Sequence, residues 1–245
     1  MEEKIRVGAV SYLNTKPLVY GFEKGMMKDQ IALSFDYPAK VAAMLLNDEI
    51  DVGLIPVAML PKMKEYHIIS EYCIGASQPV ASVCLFSDVP MHAIKEVLVD
   101  YQSRTSAALL KVLLKHHWKI DPVLTATTSD YQQGIRGTTA GLVIGDRALE
   151  QRNRSKYIYD LAEGWQEMTG LPFVFAAWVA NKKLPGNFTE DFDKATGLGL
   201  NHLEEIVDKI HFPAYDMMEY YSHNIDYRLD EKKREAIGRF LSYLD

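Results

Sequence analysis

The stretch that decides the fold is Ile5–Gly25, IRVGAVSYLNTKPLVYGFEKG. Its first part, Ile5 to Val10, is a short β-branched apolar run of the kind buried on both faces of a parallel sheet. Its last part opens on Pro17, and a proline in the first turn is a helix-start signal. The connecting Ser11-Tyr12-Leu13-Asn14-Thr15 carries three polar groups where a bare linker would suffice. Two explanations fit: a side chain that caps its own helix, or a turn that offers donors to a bound anion.

The same plan repeats along the chain. Ile31 to Phe35 reads as a second strand, Pro38 opens a helix, and Asp51 to Pro56 is a short strand closed by proline. Further on, Val97 to Val99 is a strand, DYQSRTS a polar turn, and Ala107 to His116 a helix with Leu109, Leu110, Leu113 and Leu114 inward. Val123 to Ala126 reads as a strand and Tyr131 to Ile135 as a weak helix. AGLVIGDRAL (140–149) then echoes VGLIPVAML (52–60). The distance from polar turn to Gly-Leu is about 40 residues in both halves, a spacing that signals a repeated unit. Two α/β lobes of this kind place both polar turns at the carboxyl ends of strands, where open parallel sheets bind ligands. The expected division is 1–86 plus 180–245 in one lobe and 87–179 in the other, with crossings near SVCLFSDV (82–89) and FVFAAWVA (173–180) and a ligand cleft between them. The tail, 188–245, reads as mostly helical and packed on the first lobe.

Composition narrows the partners. With 48% apolar and 24% charged residues, the 245-residue chain has ample material for a core. A formal charge of −6 without a basic block argues against nucleic-acid binding, so an anionic ligand would be held by local donors. Cys73 and Cys84 have no metal-ligand spacing and read as buried thiols; the adjacent His116 and His117 do not share a helix face. Neither a Gly-x-x-x-x-Gly-Lys loop, nor Gly-x-Gly-x-x-Gly after a strand, nor a Gly-x-Ser-x-Gly elbow occurs. No apolar run is long enough for a membrane span, and no signal peptide is read at the start, so the expectation is a soluble cytoplasmic protein with no membrane or nucleic-acid partner.

Two matched turns favour the anion explanation over capping. Ser103, Thr105 and Ser106 with their amides are candidates for one anionic group and Ser11 with Thr15 for another, with Arg104 and Arg147 as charge partners. Asp146 is a candidate general base, set against a plain helix-capping role. Phe173, Phe175 and Trp178 read as core, although Trp165 and Thr169 to Phe173 are also candidates for a wall closing on a ligand.

Taken together, VGAVSYLNTKPLVYG, DVGLIPVAML, SVCLFS, SRTSAALLKVLL and GLPFVFAAWVA resemble the chorismate dehydratases of the futalosine route to menaquinone, over nearly the whole chain. The resemblance implies a two-lobed, periplasmic-binding-protein-like (type II) fold, a small-molecule substrate, chorismate, and no cofactor. It also implies that Asn14 and Ser82 face the reacting ring, with Gly145 of the Gly-Leu-Val-Ile-Gly-Asp segment beside the substrate. A sister family, the 1,4-dihydroxy-6-naphthoate synthases, shares the fold but usually opens with a Ser-Pro-Cys-Pro-Asn-Asp-type turn, absent here. A solute-binding protein that traps a small carboxylate without turning it over is the other alternative.

Overall fold

A computed structural model describes residues 4–128 and 130–244. It contains two sheets. The first has the order β11-β4-β10-β3-β1-β2, built from β1 (Ile5–Val10), β2 (Ile31–Asp36), β3 (Val52–Pro56), β4 (His67–Ala76), β10 (Phe173–Ala180) and β11 (Asp226–Arg228). The second has the order β7-β6-β8-β5-β9, built from β5 (Val83–Ser87), β6 (Glu96–Val99), β7 (Val123–Ala126), β8 (Thr139–Ile144) and β9 (Tyr157–Asp160). Each sheet has a parallel core, with β1 between β2 and β3 and β6 between β7 and β8. An antiparallel strand then extends each core, β10 beside β3 and β5 beside β8. One topology is therefore used twice, as the echo of 52–60 in 140–149 suggests.

Those two added strands come from the opposite ends of the chain's crossings. The boundaries expected at 86/87 and 179/180 do not coincide with the sheets: Val83–Ser87 pairs into the second sheet, and Phe173–Ala180 into the first. The physical reason is that each crossing segment is itself a strand, and its ladder hydrogen bonds are satisfied only in the sheet it enters. All eight residues of β10 are buried, which explains its unbroken apolar run.

The helices lie where proline and the turns start them. Pro17 stands in the first turn of α1 (Lys16–Glu23), and Pro38 opens α2 (Pro38–Leu46). Helix α3 (Arg104–Leu113) starts earlier than apolar spacing alone indicates, because the Ser103 side chain caps it, and it runs on as a π-turn to Trp118. After β8 comes α4 (Asp146–Gln151); after β3 there is only a 3₁₀ turn, Val57–Lys62, since Pro61 cannot donate to a longer helix. The region 131–135 is a 3₁₀ turn over Gln132–Gly134. Asp160 caps α5 (Leu161–Thr169).

The tail divides its contacts. Helix α6 (Gly186–Leu198) packs on α1 so closely that a Cβ on Gly21 would lie 2.2 Å from the Ala195 carbonyl oxygen. The C-terminal helix (Glu231–Leu241) brings Phe240 against Trp165 of α5 and Phe173 of β10, ring centroids 6.0 and 5.0 Å away. Lys233 of the same helix, 1% exposed, reaches the Asp226 carboxylate at 2.5 Å. No helix among the described residues is long and apolar enough to cross a membrane. Gly21→Ala forces α1 and α6 apart and is expected to cost about 1–3 kcal/mol, measured as a lower urea midpoint at unchanged slope.

Candidate active site

The carboxyl ends of the parallel strands face one another across a narrow cleft. From the first sheet it is lined by Val10, Tyr12, Asn14, Pro38, Pro56 and Ile74, with Phe175 and Ala176 of β10. Opposite lie Val80, Ser82 and Val83 of the crossing, Ser103 and Ser106 at the start of α3, and Ile144 and Gly145 after β8. The polar side chains on this wall are Tyr12, Asn14, Ser82, Ser103 and Ser106. No Lys, Arg, His, Asp or Glu is among the lining residues.

The two polar turns turn out to differ. Ser103 is a helix cap: its Oγ accepts from the Ser106 N–H at 3.1 Å and donates to Ser106 Oγ at 2.9 Å. That leaves the Ser106 hydroxyl hydrogen and the first amides of α3 without an intrahelical acceptor, at the positive end of the helix dipole. The first turn caps nothing. Neither the 3₁₀ turn Leu13–Thr15 nor α1 receives a side-chain cap, and Asn14 lies on the cleft wall.

That first turn is held from outside. Tyr221 Oη donates to the Leu13 carbonyl and Tyr227 Oη to the Asn14 carbonyl, each at 2.9 Å. The Leu13 N–H donates to both oxygens of Asp146, at 3.1 and 3.4 Å, joining the two halves of the site. Tyr12 enters the opposite half: its hydroxyl donates to Gln102 Oε1, and its ring packs where a Cβ on Gly145 would stand, 3.0 Å away. Gly145 has φ +63°, so glycine is doubly required there. Behind Tyr12, Arg147 donates to Gln102 at 2.9 Å and to the buried Asp100 at 2.7 Å. Tyr131 Oη donates to the same Asp100 oxygen at 2.6 Å. Burial pushes the Tyr12 hydroxyl well above its ordinary pKa, so it stays a neutral donor.

On the other wall Ser82 is 1% exposed and accepts a hydrogen bond from Tyr220 Oη at 2.7 Å. Tyr220 is fully buried, which raises its pKa far above the ordinary tyrosine value. With one lone pair committed to Tyr220, Ser82 has its single hydrogen free to donate into the cleft.

Not every candidate is brought to this wall. Ser11 and Thr15 line a separate small pocket with Lys16, Glu23 and Phe35. Thr105 is buried and its Oγ1 accepts from the Ala58 N–H at 3.1 Å. Arg104 faces a surface groove beside Lys62, Lys111 and Lys115. Phe173 is 1% exposed within an aromatic core formed with Trp165, Phe175 and Phe240, and Phe175 lines the cleft in its place. The two side chains are two residues apart on β10 and so share a face, their ring centroids 4.7 Å apart, with Phe175 the one that reaches the cleft. Asp146 neither lines the cleft nor caps α4; it serves as the acceptor for Leu13. Cys73 and Cys84 are buried free thiols. No group of His, Cys, Asp or Glu among the described residues is arranged to hold a metal ion.

A family model described as menaquinone biosynthesis matches residues 5–245. The chain belongs to that family. Similar relatives include a chorismate dehydratase of Campylobacter jejuni, 27% identical over 244 residues and covering 96% of this chain and 95% of the relative. Another is a chorismate dehydratase of Thermus thermophilus, 24% identical over 237 residues and covering 84% of each chain. Among solved structures, an Archaeoglobus fulgidus protein superposes with a TM-score of 0.77 at 16% identity, covering 98% of this chain and 96% of its own. The periplasmic aliphatic sulphonate binding protein of Escherichia coli gives 0.64 at 12% identity, covering 99% and 86%. The fold is thus periplasmic-binding-protein-like, with two lobes and a cleft between them.

Within this menaquinone-biosynthesis chain, sequence reasoning did not single out Tyr12, Tyr220, Tyr221 or Tyr227. Tyr12 stands in the opening motif and could have been read as more than a packed ring. The other three lie in a tail whose helical character hides that their hydroxyls reach back by more than a hundred residues.

Burial raises the Asp146 pKa from 3.8 to about 6. A carboxyl with a raised folded-state pKa favours the folded form below its unfolded value, and that contribution is lost as pH climbs through about 6. Asp146→Asn keeps an acceptor for Leu13 without the buried charge. The expected outcome is a higher denaturation midpoint at pH 7 and a flatter stability profile between pH 4 and 6, read by thermal unfolding across that range.

Proposed function

We propose that this chain is a chorismate dehydratase, removing water from chorismate to give 3-[(1-carboxyvinyl)oxy]benzoate in the futalosine route to menaquinone, in the cytoplasm. Its family membership and the named relatives support the reading. The observation that carries the mechanism is a cleft wall of hydroxyl and amide donors set among apolar residues, with no basic side chain.

Chorismate is a dianion, and its C4 hydroxyl and C3 ether oxygen are trans. The C3 hydrogen and the C4 hydroxyl therefore leave from one face, which disfavours a concerted anti elimination. A stepwise path suits the chemistry. Loss of the C3 proton leaves charge delocalised through C1=C2 onto the ring carboxylate, and expulsion of hydroxide from C4 then completes a benzene ring. The C3 proton and the C4 hydroxide together make the water released. Aromatisation drives the reaction, so the protein's task is to orient the ring and stabilise developing charge.

The donors divide that task. The start of α3, with the Ser106 hydroxyl and the first amides, binds one carboxylate. Asn14 and Ser82 donate to the departing hydroxyl or the delocalised anion, Ser82 being oriented as a donor by Tyr220. Since no wall residue is a base, the substrate's enolpyruvyl carboxylate accepts the C3 proton. Asp146, engaged with Leu13, positions the first turn. Apolar neighbours such as Ile74 and Phe175 exclude water, which strengthens each of these hydrogen bonds.

The test is direct. Purified protein incubated with chorismate is expected to consume the diene absorbance and produce an aromatic carboxylic acid. Ser82→Ala and Asn14→Ala each lower kcat by about 10²–10³-fold, whereas Asp146→Asn keeps at least about a tenth of the turnover. Loss of turnover in Asp146→Asn with full turnover in the other two would reverse these roles. Binding without consumption would make the protein a carboxylate trap like its solute-binding neighbours, and absence of both would overturn the reading.

A further inference from the structure

Ser82 is delivered to the cleft by an unusual piece of backbone. Its neighbour Ala81 has φ +63°, a left-handed conformation that a residue with a Cβ rarely adopts. Such a conformation persists only where the surroundings over-determine it, and here they do. The Ala81 N–H donates to Asp160 Oδ2 at 2.8 Å. Its carbonyl accepts from Arg152 Nη1 at 3.2 Å and from Cys84 Sγ at 3.3 Å. Ser82 itself is tied on both sides, its N–H to the Val80 carbonyl and its carbonyl to the Gly145 N–H, each at 2.8 Å.

Asp160 is suited to the hold. It is 6% exposed, and its other oxygen, Oδ1, accepts from Ala162 at 2.9 Å and Glu163 at 3.3 Å at the start of α5. One carboxylate thus joins the rigid end of a helix to the strained turn. Arg152 closes the opposite side, with its guanidinium also 3.6 Å from Cys84 Sγ.

We infer that Asp160 and Arg152 are positioning residues, which fix the left-handed turn at Ala81 and thereby aim the Ser82 hydroxyl into the cleft. The inference rests on Ser82 being the donor to the reacting ring, as proposed above. Neither residue lines the cleft, so both act on it through that turn. An alanine is tolerated at φ +63° because three partners saturate its backbone groups. Without them the turn relaxes toward negative φ and rotates Ser82 off its line to the substrate.

A double-mutant cycle tests this. Asp160→Asn retains an oxygen to cap α5 but turns an amide group toward the Ala81 N–H. It is expected to lower kcat about 100-fold, the cost of a small misplacement, with KM changed less than about threefold. In a Ser82→Ala background, single-turnover measurement should show little further loss from Asp160→Asn. Arg152→Gln, a milder change that keeps the fold if Asp160→Asn does not, is expected to lose about tenfold by itself and nothing further beside Ser82→Ala. Exchange of the Ala81 amide hydrogen should quicken at least about tenfold in Asp160→Asn. Equal losses with and without Ser82, or unchanged kcat and Ala81 exchange, would overturn the inference. Should the wild type not consume chorismate, the functional reading fails by itself. The exchange rate then decides on the clamp alone: unchanged exchange overturns it, and quickened exchange upholds it.

Discussion

One turn, held largely by side chains distant in sequence, governs this site. Between the end of β1 and the start of α1, the backbone of Leu13 and Asn14 has its hydrogen bonds completed by Asp146, Tyr221 and Tyr227, from 133 to 213 positions away. A buried peptide group without a partner is costly. The turn therefore draws part of its hydrogen bonding from the second lobe and part from the tail. Asn14 and Tyr12 inherit their orientation from those bonds, and so does the cleft.

The chemistry of the wall follows from what surrounds it. The protein carries a net charge of −6, yet neutral donors line the cleft. Charged groups stand one layer back, Arg147 with Asp100 and Asp146 with the Leu13 amide. In a narrow apolar space a neutral donor gains strength toward an anion from the low local dielectric. It also brings no buried charge that would need its own partner when the cleft is empty. The paired serines at 103 and 106, and Tyr220 with Ser82, fix which way each hydroxyl hydrogen points.

Much of this architecture was legible from local pattern. The apolar runs of β1, β3, β8 and β10, the prolines at 17 and 38, and the repeated strand-turn-helix plan are all signals of short range. They placed the cleft at the strand ends correctly. Sheet membership of the crossing strands was not legible, because pairing of Val83–Ser87 with β8 and of Phe173–Ala180 with β3 depends on long-range register. In the site, Asn14, Ser82, Ser103, Ser106 and Gly145 come together at the cleft, while Ser11, Thr15, Thr105, Arg104, Asp146 and Phe173 do not line it. A motif names neighbours in sequence, but rotation around α3 sends Arg104, Thr105 and Ser106 to different surroundings. The tyrosines of the tail were invisible for the complementary reason: hydroxyls that reach across the whole molecule leave no periodic trace.

The assembly of the first sheet from two separate parts of the chain also bears on how the protein is made. The first sheet opens with β1, yet its middle waits for β10 and its edge for β11, which begins at Asp226. A ribosome must therefore release almost the entire chain before that sheet can close, whereas all five strands of the second sheet lie between Val83 and Asp160. The second sheet therefore has all of its strands available for pairing before the first sheet does.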